Sequence, residues 1–155
     1  TNAWAHAYRG YPYPYPSRMG FEISFIYGES LKSIEMWNDI FDGSDYYKAY
    51  VRFQPATNRW QYWSSGGAWV NLDPAYDLKQ LDRIFHTIKL VVDMTTGKYV
   101  HLIVNDHTFD MSTLDMRKTG MIVTHRLYTA FRIDADRDDY AYTYIDDFII
   151  TTNEP

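Results

Sequence analysis

The chain has 155 residues, no cysteine and a formal net charge of −5 from Lys+Arg 15 against Asp+Glu 20. A chain this long buries roughly 70% of its unfolded surface and needs no staple, and without cysteine there are no disulfides, thiolate zinc sites or cysteine nucleophiles. Hydrophobic residues at 46% exclude disorder, the acidic surplus disfavours a nucleic acid or an anionic membrane as partner, and no stretch approaches the ~20 apolar residues of a membrane span.

The departure from ordinary composition is an aromatic fraction of 18%, with Tyr 15, Phe 8 and Trp 5. Thr1-Asn2-Ala3 carries neither an initiator Met nor a leader, the start expected of a processed protein or of a piece of something longer. Residues 1–18 read as a loop or extended segment packed on the domain, because Tyr11-Pro12-Tyr13-Pro14-Tyr15-Pro16 alternates rings with residues that cannot donate to a ladder. Residues 19–155 then read as a single β-sandwich domain.

Phe21, Ile23, Phe25 and Tyr27 alternate with Glu22 and Ser24, the period of a half-buried strand. Ile34 to Phe41 is a second apolar run, closed by Asp42-Gly43-Ser44. Tyr47, Ala49, Val51 and Phe53 share one face of the next strand, and Lys48, Tyr50, Arg52 and Gln54 the other. Arg59 to Trp63 and Ala68 to Leu72 flank the Ser65-Gly66-Gly67 reversal. Leu78, Leu81 and Ile84 stand at helical spacing and predict one short helix over Asp77–Ile84.

His86 to Met94 and Lys98 to Val104 form a hairpin about Thr95-Thr96-Gly97, with Ile88, Leu90 and Val92 meeting Val100, Leu102 and Val104 across the pair. Ser112 to Met116 is predicted as a capped helical turn. Two long strands, Met121 to Ile133 and Tyr140 to Thr151, finish the domain around an acidic loop, Asp134 to Asp139. In the last strand Ile145 and Ile149 oppose Tyr142, Tyr144, Phe148 and Ile150. So many short strands with almost no helix predict an all-β, antiparallel β-sandwich.

The stretch from Thr87 to Asp106, centred on Val92-Asp93-Met94-Thr95-Thr96-Gly97-Lys98, resembles the central hairpin of concanavalin A-like lectin/glucanase domains, the laminin-G-like branch above all. Tyr144-Ile145-Asp146-Asp147-Phe148-Ile149-Ile150 is similar to their closing strand. The resemblance implies a jelly roll of two curved antiparallel sheets, one of which often holds sugars, and it favours an extracellular or periplasmic setting. Such domains usually open with a strand beside the last one, so an opening strand is expected outside this chain or in a preceding segment.

The Glu-x-Asp-x-x-Glu strand motif of the glucanase branch is absent, and Glu35 and Asp39 share a face at a spacing of roughly 13 Å, too wide for a retaining pair. Asp134, Asp136 and Asp138 begin like an EF-hand loop, but Asp139 and Ile145 stand where glycine and glutamate are required. Of Asp146 and Asp147, adjacent on a strand, one should point inward and need a partner; an ion pair or a turn cap would serve, and the resemblance offers a structural calcium as the alternative. His6, His86, His101, His107 and His125 show no zinc spacing.

Sugars present C–H faces that stack on rings and hydroxyls that bond planar polar groups. Candidates for such contacts are Tyr50 and Arg52, then Trp60 and Tyr62, then Arg126, Tyr128 and Arg132, then Tyr142 and Tyr144. The expected function is a non-catalytic module that binds an oligosaccharide. The alternatives are a glycoside hydrolase or lyase with acids on separate strands (Asp93, Asp146 or Glu35) and a structural domain without a ligand.

Overall fold

Period-two patterning accounts for most of the architecture. The computed structural model describes residues 2–12, 18–28, 31–79, 84–136 and 142–155 and folds them into two antiparallel sheets. The larger sheet runs in the order β1 (Asn2–Pro12), β11 (Arg126–Asp136), β3 (Leu31–Phe41), β4 (Asp45–Gln54), β5 (Arg59–Trp63) and β6 (Trp69–Asn71), with β10 (Arg117–Gly120) also on β4. The smaller runs β12 (Thr143–Thr152), β2 (Arg18–Tyr27), β7 (His86–Asp93), β8 (Lys98–Val104) and β9 (His107–Asp110).

Phe21, Ile23 and Phe25 of β2 pack toward Met36, Val51 and Phe131, all fully or almost fully buried. The Phe25 and Phe131 rings meet across the two sheets at 5.0 Å. Each such side chain contributes about 1.5–3 kcal/mol of burial, so the alternation of β2, β3 and β4 fixes which faces meet. Among the described residues no helix is long and apolar enough to cross a membrane.

Several of these expectations are corrected. The segment read as a loop or extended segment packed on the domain is, over Asn2–Pro12, an edge strand paired along its length with β11, in the sheet that does not contain β12. Ala3, Ala5 and Ala7 alternate with Trp4, His6 and Tyr8 there, and Pro12 falls at the strand's end, where a missing donor costs least. Residues 13–17, which hold the rest of the proline–tyrosine run, lie outside the described residues.

Asp77–Lys79 and Ile84 are not helical, and residues 80–83 lie outside the described residues. The Leu78 carbonyl accepts from the Tyr27 hydroxyl and the Lys79 carbonyl pairs with His86 Nε2, so two groups that a helix would use are committed elsewhere. Ser112 does not cap a helix; its N–H donates to Asp110 Oδ1 (2.9 Å) in a turn that leads to an isolated bridge between Lys98 and Asp115. The strand expected from Met121 begins only at Arg126, and its far end takes in Asp134, which is therefore not part of a loop.

A bulge between Asp146 and Phe148, with Asp147 at φ +36, shifts β12 by one residue. Ile145, Phe148 and Ile150 thereby face the same side, while Tyr144 and Ile149 face outward. A second bulge, at Val91/Val92, brings Tyr99 and not Val100 opposite Val92. At the hairpin's turn Gly97 has φ +70, and the Asp93 carboxylate accepts from the Thr95 and Thr96 amides and the Thr95 hydroxyl.

Candidate functional site

The outward side of the larger sheet is set by register. Phe131, Val51 and Phe53 face the core, so Arg132, Glu35 and Arg52 face away from it. Cross-strand pairing then aligns His6, Arg132, Glu35, Arg52, Gln61 and Asn71 in one row across six strands.

Beside this row runs an unbroken chain of rings. Trp4 stacks on His6 at 4.9 Å, His6 meets Trp37 at 6.2 Å, and Trp37 meets Tyr50 at 6.1 Å. Tyr50 meets Trp63 at 6.3 Å, and Trp63 packs edge-on against Trp69 at 5.2 Å. The chain passes over β11 where that strand carries the small Ala130, the register partner of Trp37. Its span is roughly 24 Å, five interstrand spacings. Trp4 is 58% exposed, while Trp37, Tyr50, Trp63 and Trp69 are half-buried, each keeping some surface for solvent or a ligand.

Polar groups hold the rings in place. The Tyr46 and Tyr50 hydroxyls both donate to Asp39 Oδ1, at 2.5 and 2.6 Å. Arg52 Nε donates to Gln61 Oε1 (2.6 Å), Gln61 passes the chain to Asn71 Oδ1 (2.7 Å), and the Arg52 guanidinium lies 4.3 Å from the Trp69 ring. Beneath them Tyr99 reaches across the sandwich from β8. β5 covers Val51–Gln54 of β4 and β10 covers Asp45–Lys48, leaving a gap in which the Tyr99 hydroxyl accepts from the Tyr50 amide (3.2 Å) and donates to the Trp63 carbonyl (2.9 Å).

Burial, the Asp39 charge and its hydrogen bond push the Tyr50 phenol far above its ordinary pKa, so it stays protonated and is no general base at neutral pH. Glu35 is raised by burial and then by Asp134, against the pull of Arg132, Arg52 and Ser33. Ser33 Oγ lies 3.3 Å from Glu35 Oε1 and 3.2 Å from Asp134 Oδ2, while Arg132 holds Asp134 at 2.5 Å. Burial lowers the Arg52 pKa, offset in part by Glu35 and Asp134.

The structure brings Tyr50, Arg52, Arg126, Tyr128 and Arg132 to this one face. Trp60 and Tyr62 share a strand face as expected, but that face points inward. Trp60 is 1% exposed against Phe53, and Tyr62 packs edge-on against Tyr99. Tyr142 and Tyr144 stand together at 5.6 Å on the smaller sheet's edge, away from the ring chain. Glu35 lies on the larger sheet, with Asp93 and Asp146 on the smaller, so the three acids do not converge.

Asp146 and Asp147 are both exposed; the bulge lets neither point inward, and Asp146 caps the Asp147 amide. Among the described residues no three His, Asp or Glu side chains gather as a metal site. Trp4, His6, Trp37, Trp63 and Trp69 were not singled out in the sequence. The signal for Trp37 was present, since Glu35, Trp37 and Asp39 alternate with the buried Met36 and Asn38.

No protein-family model matches the sequence, nor does any curated protein. Among solved structures the chain is similar to the carbohydrate recognition domain of Emp46p in its potassium-bound form, with a TM-score of 0.55 at 10% identity over 90% of this chain and 73% of that one. It is similar to a sialidase (TM-score 0.54, 13% identity, 96% of this chain) and to a family 7 alginate lyase in complex with substrate (TM-score 0.51, 12% identity, 94% of this chain). The chain spans 14% of the sialidase's length and 65% of the lyase's. At such identities the likeness defines the fold: the two sheets are a concanavalin A-like jelly roll.

Proposed function

We propose that the protein is a non-catalytic carbohydrate-binding module whose ligand lies along the outward face of the larger sheet. The observation that carries this reading is the continuous run of six rings from Trp4 to Trp69, flanked by the Arg52–Gln61–Asn71 hydrogen-bonded row. Half-exposed rings offer the C–H faces of sugars a stacking surface, and the planar amide and guanidinium groups beside them suit hydroxyls. Tyr50, whose hydroxyl is held by Asp39 and whose amide is held by Tyr99, loses little freedom on binding. The carbohydrate recognition domain of Emp46p shares the fold and is consistent with the assignment.

Four of the chain's five tryptophans stand on this face, so intrinsic fluorescence reads the site directly. Titration with an oligosaccharide panel is expected to quench or shift that emission for at least one sugar, with no reducing ends released. A folded protein whose emission responds to no sugar would refute the assignment.

One observation favours a hydrolytic reading. Glu35 and Asp134 share Ser33 Oγ, and burial raises the Glu35 pKa, as a general acid requires. Reducing-end release that disappears in Glu35→Gln would establish it in place of the module.

A further inference from the structure

The chain is acidic as a whole, yet this face is not. Six of the 15 Lys and Arg (Lys48, Arg52, Arg59, Arg117, Arg126 and Arg132) fall on it by register, against four acidic positions, Glu35, Asp39, Asp134 and Asp136. Two of the cations are neutralised, Arg132 by Asp134 at 2.5 Å and Arg59 by Asp73 at 2.6 Å. Glu35 lies 3.9 Å from Arg52, and Asp39 is occupied by two tyrosine hydroxyls. Among the described residues no carboxylate lies within ion-pair distance of Lys48, Arg117 or Arg126.

These surplus cations are built into the aromatic surface. The Arg126 guanidinium lies 4.4 Å from the Phe41 ring centre and 5.1 Å from that of Tyr128, and Phe41 is itself stacked on Tyr46 at 4.6 Å with the planes 6° apart. Lys48 Nζ sits over both the Tyr46 and Tyr50 rings. Arg117 lies against Gly67, in the turn between Trp63 and Trp69, where an added Cβ would come within 2.3 Å of its Nη1 and where φ is +81. A guanidinium beside a ring bonds it through its charge and keeps N–H donors available, and their planar fork matches a carboxylate.

We propose that the ligand of this face is an acidic oligosaccharide, a chain containing uronic acid whose sugar rings stack on the aromatic run while its carboxylates meet Arg126, Lys48 and Arg117. This rests on the carbohydrate-binding reading above and adds the charge of the ligand to it. A neutral sugar would bury Arg126 and Arg117 with no compensating charge of its own, with Asp39 as the one carboxylate beside Lys48, and would leave their donors to hydroxyls alone.

The experiment titrates the intact chain, by tryptophan emission and calorimetry, with oligomers of mannuronate, galacturonate and hyaluronan. Each is set beside its carboxyl-reduced neutral counterpart, and polyglutamate of equal charge is the control without sugar rings. An acidic oligomer is expected to bind roughly 10- to 100-fold tighter than its reduced form, the gain of a charge-assisted hydrogen bond. That gap is expected to narrow as salt is raised, since these charges are partly exposed. Arg126→Gln and Lys48→Gln are expected to lower affinity for the acidic form by a larger factor than that for the reduced form, with unfolding midpoints showing that each variant folds.

Equal affinity for acidic and reduced oligomers would overturn the charge assignment and leave the carbohydrate reading standing. Binding of polyglutamate as tight as that of the uronates would overturn it as well, showing a bare anion surface. Response to no oligomer of either kind would remove both readings together.

Discussion

The two outward faces of the sandwich obey the same alternation and cover the same core, yet they carry different chemistry. On the larger sheet the outward positions hold Trp37, Tyr50, Trp63 and Trp69 in contact with one another. On the smaller sheet they hold Glu22, Ser24, Thr87 and Lys89, with Ser24 and Thr87 hydroxyls 3.1 Å apart and Lys89 paired to Glu154 at 2.7 Å. Its exposed tyrosines, Tyr142 and Tyr144, stand at the edge, and His101 is the outward ring on β8. Core packing prescribes only the inward set, so the outward set is where two sheets of one fold are free to diverge. Short polar pairs suffice to solvate a sheet. A run of half-exposed rings costs solubility and calls for a ligand to explain it.

The contrast breaks first on β5, where it runs between neighbouring residues. Trp60→Ala removes a ring that is 1% exposed and packed against Phe53, and is expected to cost ~3–5 kcal/mol of stability by cavity formation. Trp37→Ala, on the outward face of β3, is expected instead to lower ligand affinity by ~1–3 kcal/mol, a magnitude taken from ring stacking on nucleobases. Tyr144→Ala, on the other sheet, should leave that affinity unchanged. Denaturant midpoints and calorimetric titration of the three variants separate the roles. Loss of binding in Tyr144→Ala to the same degree as in Trp37→Ala would erase the distinction between the faces.

Tyr99 sharpens the comparison from below, because it belongs to the smaller sheet and supports the site on the larger one. Tyr99→Phe keeps the ring but leaves the Tyr50 amide and the Trp63 carbonyl without their partner, at an expected ~1–3 kcal/mol. Binding should weaken with it, since both residues adjoining the gap belong to the ring run. Wild-type affinity at a lowered unfolding midpoint would show Tyr99 to be a strut for the fold alone.

How much of this was legible follows the same division. β2, β3, β4 and β7 could be read from alternation because each buries one face against the other sheet. The chain of rings could not, because it is assembled across strands far apart in sequence: His6 meets Trp37, and Tyr50 meets Trp63. Trp60 and Tyr62 misled because β5 carries rings on both sides; the polar Arg59 and Gln61 that alternate with them were the mark that their own side is inward. β12 misled for a different reason. Two adjacent aspartates give no sign of a bulge, and one inserted residue reverses every face beyond it. β1 was hidden by the proline run that follows it, although its alanines alternate with rings.

The smallest expected effect concerns pH and tests whether histidines inside and outside the smaller sheet behave alike. His86, buried at the start of β7, has its pKa lowered by burial against hydrogen bonds to the Lys79 carbonyl and Asn105. His101, on the outward side of β8, is also lowered by burial, with Glu154 opposing and Lys89 and Arg18 adding to the shift. A histidine whose folded pKa is depressed binds fewer protons folded than unfolded. Its contribution is therefore fully present above the unfolded value of about 6.5 and is lost as pH falls from there through the folded value. Glu35, with its raised pKa, runs the other way, favouring the fold as pH falls. The paired carboxylates Asp93 and Glu154, held low, lose their contribution only in more acidic solution. Unfolding midpoints should thus decline modestly between pH 7.5 and 5, and His86→Gln together with His101→Gln should flatten that decline. If His86→Gln alone flattens it, the buried ring carries the dependence and the outward face of the smaller sheet is inert to pH. If neither variant does, the histidines are not its source.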